Sequence, residues 1–200
     1  MVRKRPTGPD TPTRILDVAE RLVQVRGFNG FSYADVAKEL QLTTASLHYY
    51  FAGKAELGRE LIERYTARFM AALAGIDENW PDAQARLTAY SGLYASVLQE
   101  RRLCLCGMLA AEYQTLPEPM RDAVISFFDQ NEAWLTRVLE LGREQGRLDF
   151  TGSAADTARM IVCGLEGAML VARPYGEPSR FEAAAAQLLK SVAGTAPVAI

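Results

Sequence analysis

The chain has 200 residues, 49% of them hydrophobic and 23% charged, which is the balance of a globular protein that buries a core without metal or disulfide staples. Three cysteines, Cys104, Cys106 and Cys163, are an odd number that closes no disulfide framework, and they point to a reducing compartment, the cytoplasm. The net charge of −2 hides an asymmetry: residues 1–68 hold 11 Lys/Arg against 8 Asp/Glu, net +3, and residues 69–200 hold 11 against 16, net −5, which permits a polyanionic partner for the first segment only.

At the N-terminus Val2-Arg3-Lys4-Arg5-Pro6 is basic but leads into turn-formers with no apolar stretch behind it, so it does not read as a secretory signal. Residues 1–12 are expected as a disordered basic arm, either solvated or laid by Arg3, Lys4 and Arg5 along phosphates or an adjacent minor groove. Thr11 before Pro12 predicts a helix start; Ile15, Leu16, Ala19, Leu22 and Val23 then repeat with a helical period until Gly27 ends the helix. Ser32 with Asp35 three residues on predicts a capping box for a second, two-turn helix carrying Val36, Ala37 and Leu40. Thr43 caps a third through Thr44, Ala45, Ser46, Leu47, His48, Tyr49, Tyr50 and Phe51, and two short helices joined by a tight turn make a helix-turn-helix.

From Lys54 a longer helix follows, with Leu57, Leu61, Tyr65, Phe69 and Leu73 at i+4 spacing, stopped by Gly75 and Trp80-Pro81. A fifth carries Leu87, Tyr90, Tyr94, Val97 and Leu98; a sixth runs from Cys104 to Tyr113 and ends at Leu116-Pro117-Glu118-Pro119; a seventh, from Val124 past Trp134 and Leu139, closes at Gly146. Ser153 with Asp156, and Ser179 with Glu182, mark the last two starts, giving an all-α chain of about nine helices. The eighth helix is apolar on several sides and so must be covered on several sides. Its apolar stretch, Met160 to Ala172, is too short to span a bilayer. Residues 195–200 are expected as a disordered tail.

Residues 14–61, from Arg14-Ile15-Leu16 through Gly27-Phe28, Ser32-Tyr33-Ala34-Asp35-Val36-Ala37 and Leu42-Thr43-Thr44-Ala45-Ser46-Leu47-His48-Tyr49-Tyr50-Phe51 to Lys54-Ala55-Glu56-Leu57, strongly resemble the TetR/AcrR family of bacterial transcriptional regulators. The remainder agrees in helix count, length and the segment Leu165-Glu166-Gly167-Ala168. The resemblance implies a dimeric repressor with a helix-turn-helix DNA-binding domain over residues 13–56 and a ligand-binding and dimerisation domain over residues 57–194. His48 stands where the family more often has tyrosine, and Tyr50 where it often has histidine.

The residue chemistry agrees with a major-groove helix, which needs short polar side chains at its N-terminal end and donors beside it for phosphates. The candidate contacts to a palindromic double-stranded operator are Ser32, Thr43, Thr44, Ala45, Ser46, His48, Tyr49, Tyr50 and Lys54, with Thr44, Tyr49 and Lys54 carried most directly by the resemblance. Val36, Ala37, Leu40, Leu47 and Phe51 read as packing.

For a small-molecule inducer, the candidate pocket residues are Phe69, Tyr90, Tyr94, Cys104, Cys106, Met108, Tyr113, Phe127, Trp134, Cys163 and Glu166, most of which also serve as ordinary core. Glu166, in mid-helix among apolar residues, must face solvent, pair, or meet a ligand. Cys104 and Cys106 point about 200° apart on a helix, so they do not chelate a metal together. They are either small buried hydrophobes or, with Arg101, Arg102 and a helix N-terminus to lower the thiol pKa, sensors of oxidants or electrophiles, while Cys163 reads as core. Dimerisation is expected through the last two helices as a four-helix bundle, with Gly164, Gly167, Ala168 and Leu188 at the contact.

Enzyme readings fail on inventory: a single histidine, His48, and no phosphate- or dinucleotide-cradling glycine motif; no cofactor is expected. The competing reading is an all-α small-molecule carrier in which the helix-turn-helix is scaffold only.

Overall fold

Capping chemistry sets most of the helix boundaries in the computed structural model, which describes residues 10–194. The expected basic arm around Arg3, Lys4 and Arg5 and the tail 195–200 lie outside the described residues, whereas Thr11 and Pro12, assigned to that arm, are already helical. Over the described residues there are nine α-helices: α1 (Thr11–Arg26), α2 (Tyr33–Leu40), α3 (Thr44–Tyr50), α4 (Lys54–Asn79), α5 (Ala83–Gln99), α6 (Leu105–Ala111), α7 (Glu118–Glu144), α8 (Ala154–Ala172) and α9 (Pro178–Lys190). Short 3-10 turns follow α6 (Tyr113–Thr115) and α8 (Arg173–Tyr175), and a single bridge pairs Leu148 with Ala193.

Where starts differ from expectation, the reason is local. Asp10, not Thr11, caps α1, its carboxylate accepting from Thr13 N at 3.1 Å, because a carboxylate also suits the positive helix end. Gly75 does not stop α4: a lone glycine costs about 1 kcal/mol, and Leu73 and Ile76 beside it are buried. Pro117-Glu118-Pro119 opens α7 instead of closing α6, and Pro178 opens α9 ahead of Ser179, since a proline in the first turn lacks only an N–H that would be unpaired anyway. The box at Ser32/Asp35 and the caps at Thr43 and Ser153 stand as expected. So does Gly27, whose φ of +82° favours glycine and whose missing Cβ leaves room for the Glu112 carboxyl.

Helix α1 packs on α2, α4 and α6, and α3 rests on α2. The larger bundle stacks α4 and α5 on α7, α7 on α8, and α8 on α9. The i+4 stripe of α4 supplies Leu57, Leu61, Tyr65 and Leu73 to the core. At the bundle's centre Phe69 meets Tyr90, Tyr94 and Phe127 edge to face, and Tyr90 stacks on Trp134 with ring centroids 5.5 Å apart. Their polar tips are satisfied in place: the Tyr90 and Tyr94 hydroxyls are 3.0 Å apart, Tyr90 donates to Asn131 Oδ1 at 3.1 Å, and Trp134 Nε1 donates to Asp77 at 2.9 Å.

Two expectations about α8 are corrected. Gly164 admits Leu188 of α9 within the same chain, for a Cβ at Gly164 would lie 2.6 Å from a Leu188 methyl, so this pair closes the α8–α9 contact. Cys163 is exposed, not core, standing on an outward stripe of α8 with Met160, Gly167, Leu170 and Val171. Leu170 and Val171 are 57% and 64% exposed, so that no other described residue covers this apolar face of α8 fully.

Candidate DNA interface and ligand cavity

In the N-terminal module, Leu47 and Phe51 are buried in the core while Thr43, Thr44, Ala45, His48, Tyr49 and Tyr50 are exposed. The hydroxyls divide by task. Thr43 caps α3, its Oγ1 accepting from Ser46 N at 3.1 Å and lying 2.9 Å from the Ser46 hydroxyl, and the Ser32 hydroxyl donates to Asp35. Of the three hydroxyls on the expected reading helix, Thr44 alone has no side-chain partner among the described residues. Tyr49 projects furthest, 83% exposed, with Tyr50 against it edge to face. His48 is held from behind: its Nδ1 is 3.1 Å from Ala52 O and its ring lies 4.8 Å from that of Tyr33.

Lys54 departs from expectation. Its ammonium turns inward and donates to the carbonyls of Phe28 and Phe31, over whose rings it sits at 4.5 and 4.3 Å. Two carbonyls and two ring faces form a cation site inside the module, and partial burial draws the pKa of Lys54 down, with Glu112 and Asp35 opposing.

The α1–α2 loop held by Lys54 is also gripped by the bundle. Glu112, at the end of α6, accepts from Phe28 N at 2.5 Å and Asn29 N at 3.3 Å, and Asn29 Nδ2 donates to Thr115 Oγ1 at 2.7 Å. Arg173 donates to Val25 O at the end of α1, and Leu103 N donates to Gln24 O at 3.3 Å. Further along α1, the buried Glu20 pairs with Arg64 and Arg68 of α4 at 2.9 and 2.5 Å. Helix α6 therefore touches the N-terminal module at one end through Glu112.

The other face of α6 walls a cavity of about 430 Å³ between α6, α7 and α8. Met108, Ala110 and Ala111 line it from α6, Phe128 and Glu132 from α7, and Val162, Cys163, Glu166, Gly167, Met169 and Leu170 from α8. Of the expected pocket residues only Met108, Cys163 and Glu166 border it, and Gly167, expected at a dimer contact, borders it too. Phe69, Tyr90, Tyr94, Phe127 and Trp134 form the aromatic core instead, and Tyr113 lies under Arg121, 5.5 Å from its guanidinium carbon.

Cys104 and Cys106 are both buried, as the reading of them as small buried hydrophobes expects, and the alternative of acidified thiols runs against their surroundings. Burial pushes both up, the Glu166 carboxylate pushes them further, and Arg102 is paired with Glu100 at 2.6 Å. Glu166 is the pivot of this corner. Its carboxyl is pressed against Gly107, where a Cβ would lie 2.2 Å from Oε2, and Oε1 is buried with no hydrogen-bond partner among the described residues. Burial lifts its pKa from the ordinary 4.5 to about 7, with the Cys104 thiol opposing.

Sequence reasoning passed over Gly107, Glu112, Phe128, Glu132 and Arg173. A glycine inside the apolar run Leu105-Cys106-Gly107-Met108-Leu109 was a signal of close approach by another group. The remaining four owe their roles to helix packing and carry no local pattern.

Comparison with known proteins agrees over both parts of the chain. The family model described as bacterial regulatory proteins, tetR family, matches residues 15–61, and that of a tetracyclin repressor-like C-terminal domain matches residues 83–188. The chain is 29% identical over 177 residues to the HTH-type transcriptional repressor NemR of Escherichia coli K12, covering 84% of this chain and 86% of that protein. Among solved structures, a TetR-family transcriptional regulator from Agrobacterium tumefaciens superposes with a TM-score of 0.88 at 34% identity, over 92% of this chain and 97% of that one. The reduced form of E. coli NemR superposes with a TM-score of 0.82 at 27% identity, over 94% of this chain and all (100%) of that one.

Proposed function

The chain belongs to the tetR family of bacterial regulatory proteins, a DNA-binding transcriptional regulator and not an enzyme, and from that premise we propose that it is a homodimeric repressor released from its operator by a small molecule bound between α6, α7 and α8. The observation that carries the release step is α6 itself, which walls the cavity on one side and ends at Glu112, the acceptor for the backbone of Phe28 and Asn29. A ligand that displaces α6 pulls on the loop that Lys54 ties to the start of α4, and so biases the orientation of the recognition module. Thr44 and Tyr49 meet the DNA directly, flanked by Ala45, His48 and Tyr50, while Thr43, Ser32 and Ser46 hold the helix starts and Lys54 positions the module from within. Occupancy of the cavity is favoured over thiolate chemistry as the trigger, because both Cys104 and Cys106 are buried and held in the thiol form. With family membership established, the carrier reading has no observation in its favour.

The outward stripe of α8, with Leu170 and Val171, is the dimer face, and it sets two recognition helices on half-sites about one DNA turn apart. The test is a titration of a fluorescent duplex from upstream of the protein's own gene against a scrambled duplex at several salt concentrations. Sequence-selective, salt-dependent binding by wild type is expected, together with loss of that binding and a monomeric elution volume for Val171→Arg. Equal affinity for both duplexes, followed by failure to select any site from random sequence, would overturn the reading.

A further inference from the structure

We propose that the ligand of this cavity is a small apolar molecule carrying one protonated amine, whose ammonium group pairs with the carboxylate of Glu166. The inference rests on the ligand-released regulator described above and names the chemistry of its ligand.

Every wall of the cavity is apolar except for two acidic side chains, Glu132 and Glu166, and no Lys, Arg or His lines it. Glu132 stands at the rim, 29% exposed, with Arg159 at 3.3 Å, so its charge is already met. Among the described residues Glu166 has no cation and its buried Oε1 has no hydrogen-bond donor, while the Cys104 thiol bonds the carboxyl. A buried carboxyl oxygen without a donor costs free energy, which a donor carrying positive charge offsets more than a neutral donor does, and an anion not at all. Phe128 adds an aromatic wall against which a cation is favoured, and the volume suits a drug-sized or smaller molecule.

The same carboxyl is the contact between α8 and α6, seated in the gap left by Gly107. An ammonium group that draws Glu166 into the cavity takes it off α6, the helix whose far end holds the DNA module through Glu112. The groups around Glu166 do not compete for the proton involved: Cys104, Cys106, Tyr65, Tyr90 and Tyr94 are all shifted upward by burial and stay neutral through the pH range in which Glu166 titrates. Glu132 is held by Arg159.

The experiment is calorimetric titration of the purified full-length protein with three probes of one shape, phenylbutylamine, phenylbutanol and phenylbutanoate, on wild type and Glu166→Gln. The amine is expected to bind at least about tenfold more tightly than the other two, and Glu166→Gln to erase that advantage while leaving the alcohol unchanged. Equal binding of the three probes, no amine binding, or an amine preference that survives Glu166→Gln overturns the proposal. Should the variant fold poorly, the wild type decides alone. Titrations at about pH 6.5 in two buffers of different ionisation enthalpy must show a proton released as the amine binds, and no release overturns the assignment to Glu166. Adding each probe to the preformed DNA complex separates the two readings. Amine binding that leaves DNA bound removes the release mechanism and keeps the ligand class, whereas release by another compound without amine binding does the reverse.

Discussion

In the helix-turn-helix module the side chains offered to a partner stand in water and those that hold the fold lie beneath them: Tyr49 is 83% exposed, and Leu47, two residues earlier, is fully buried. In the bundle the order is inverted, since Oε1 of Glu166 is buried in the wall of an apolar cavity with no hydrogen-bond partner among the described residues, and Leu170 and Val171 set an apolar stripe on the surface. A solvated contact surface separates binding from stability, so each can change without the other. A buried site couples them, because the group that meets the ligand already costs stability when the site is empty.

Four measurements press on that contrast. The largest effect is expected from Leu47→Ala, which removes the buried anchor of α3 and lowers stability by about 2–5 kcal/mol in urea titration. A change below about 1 kcal/mol would show that α3 is not held by this core. Next, Glu166 should make stability depend on pH. Its folded pKa of about 7 lies above the ordinary 4.5, so the folded state binds the extra proton; the contribution of Glu166 to stability is highest below about 4.5, falls as pH rises, and levels off above about 7. The difference between wild type and Glu166→Gln should therefore shift against wild type by on the order of 3 kcal/mol across that window. A flat difference would mean that the carboxyl is solvated.

Tyr49→Ala is expected to do the opposite. Melting should stay within about 0.5 kcal/mol of wild type, while operator affinity falls by about tenfold, read by fluorescence anisotropy. Loss of stability comparable with the loss of affinity would erase the distinction between the two regions. The smallest effect is expected for Thr43→Ala, about 1 kcal/mol in stability through the lost cap, with operator binding following only as far as α3 frays. A much larger loss of affinity would move Thr43 from the cap to the interface.

The same contrast explains what could be read from the sequence. Helix starts at Ser32, Thr43 and Ser153 were legible because a cap and the N–H it serves lie three residues apart. The exposed set on α3 was legible for the same reason, periodicity within one short helix. The cavity was not: Met108, Phe128 and Glu166 come from three helices, and nothing local distinguishes them from Tyr90, Tyr94 or Phe127, which fill the core instead. Nor could the inward turn of Lys54 be read, since its partners Phe28 and Phe31 lie more than twenty residues earlier and take part through backbone carbonyls that every residue has. Sequence reasoning found Glu166 because a charge in an apolar helix is a local anomaly, but the direction it faces depends on Gly107 in another helix.

The stacking of Tyr90 on Trp134 gives the molecule a built-in optical reporter. Of the two tryptophans, Trp80 is 48% exposed at the end of α4, whereas Trp134 is buried, donates to Asp77 and shares α7 with the cavity residues Phe128 and Glu132. Iodide should extinguish emission from Trp80 and leave that of Trp134. The residual blue-shifted band then follows the inner layer of α7 alone, so a spectral shift on adding a compound would reveal reorganisation of the bundle before any DNA is present.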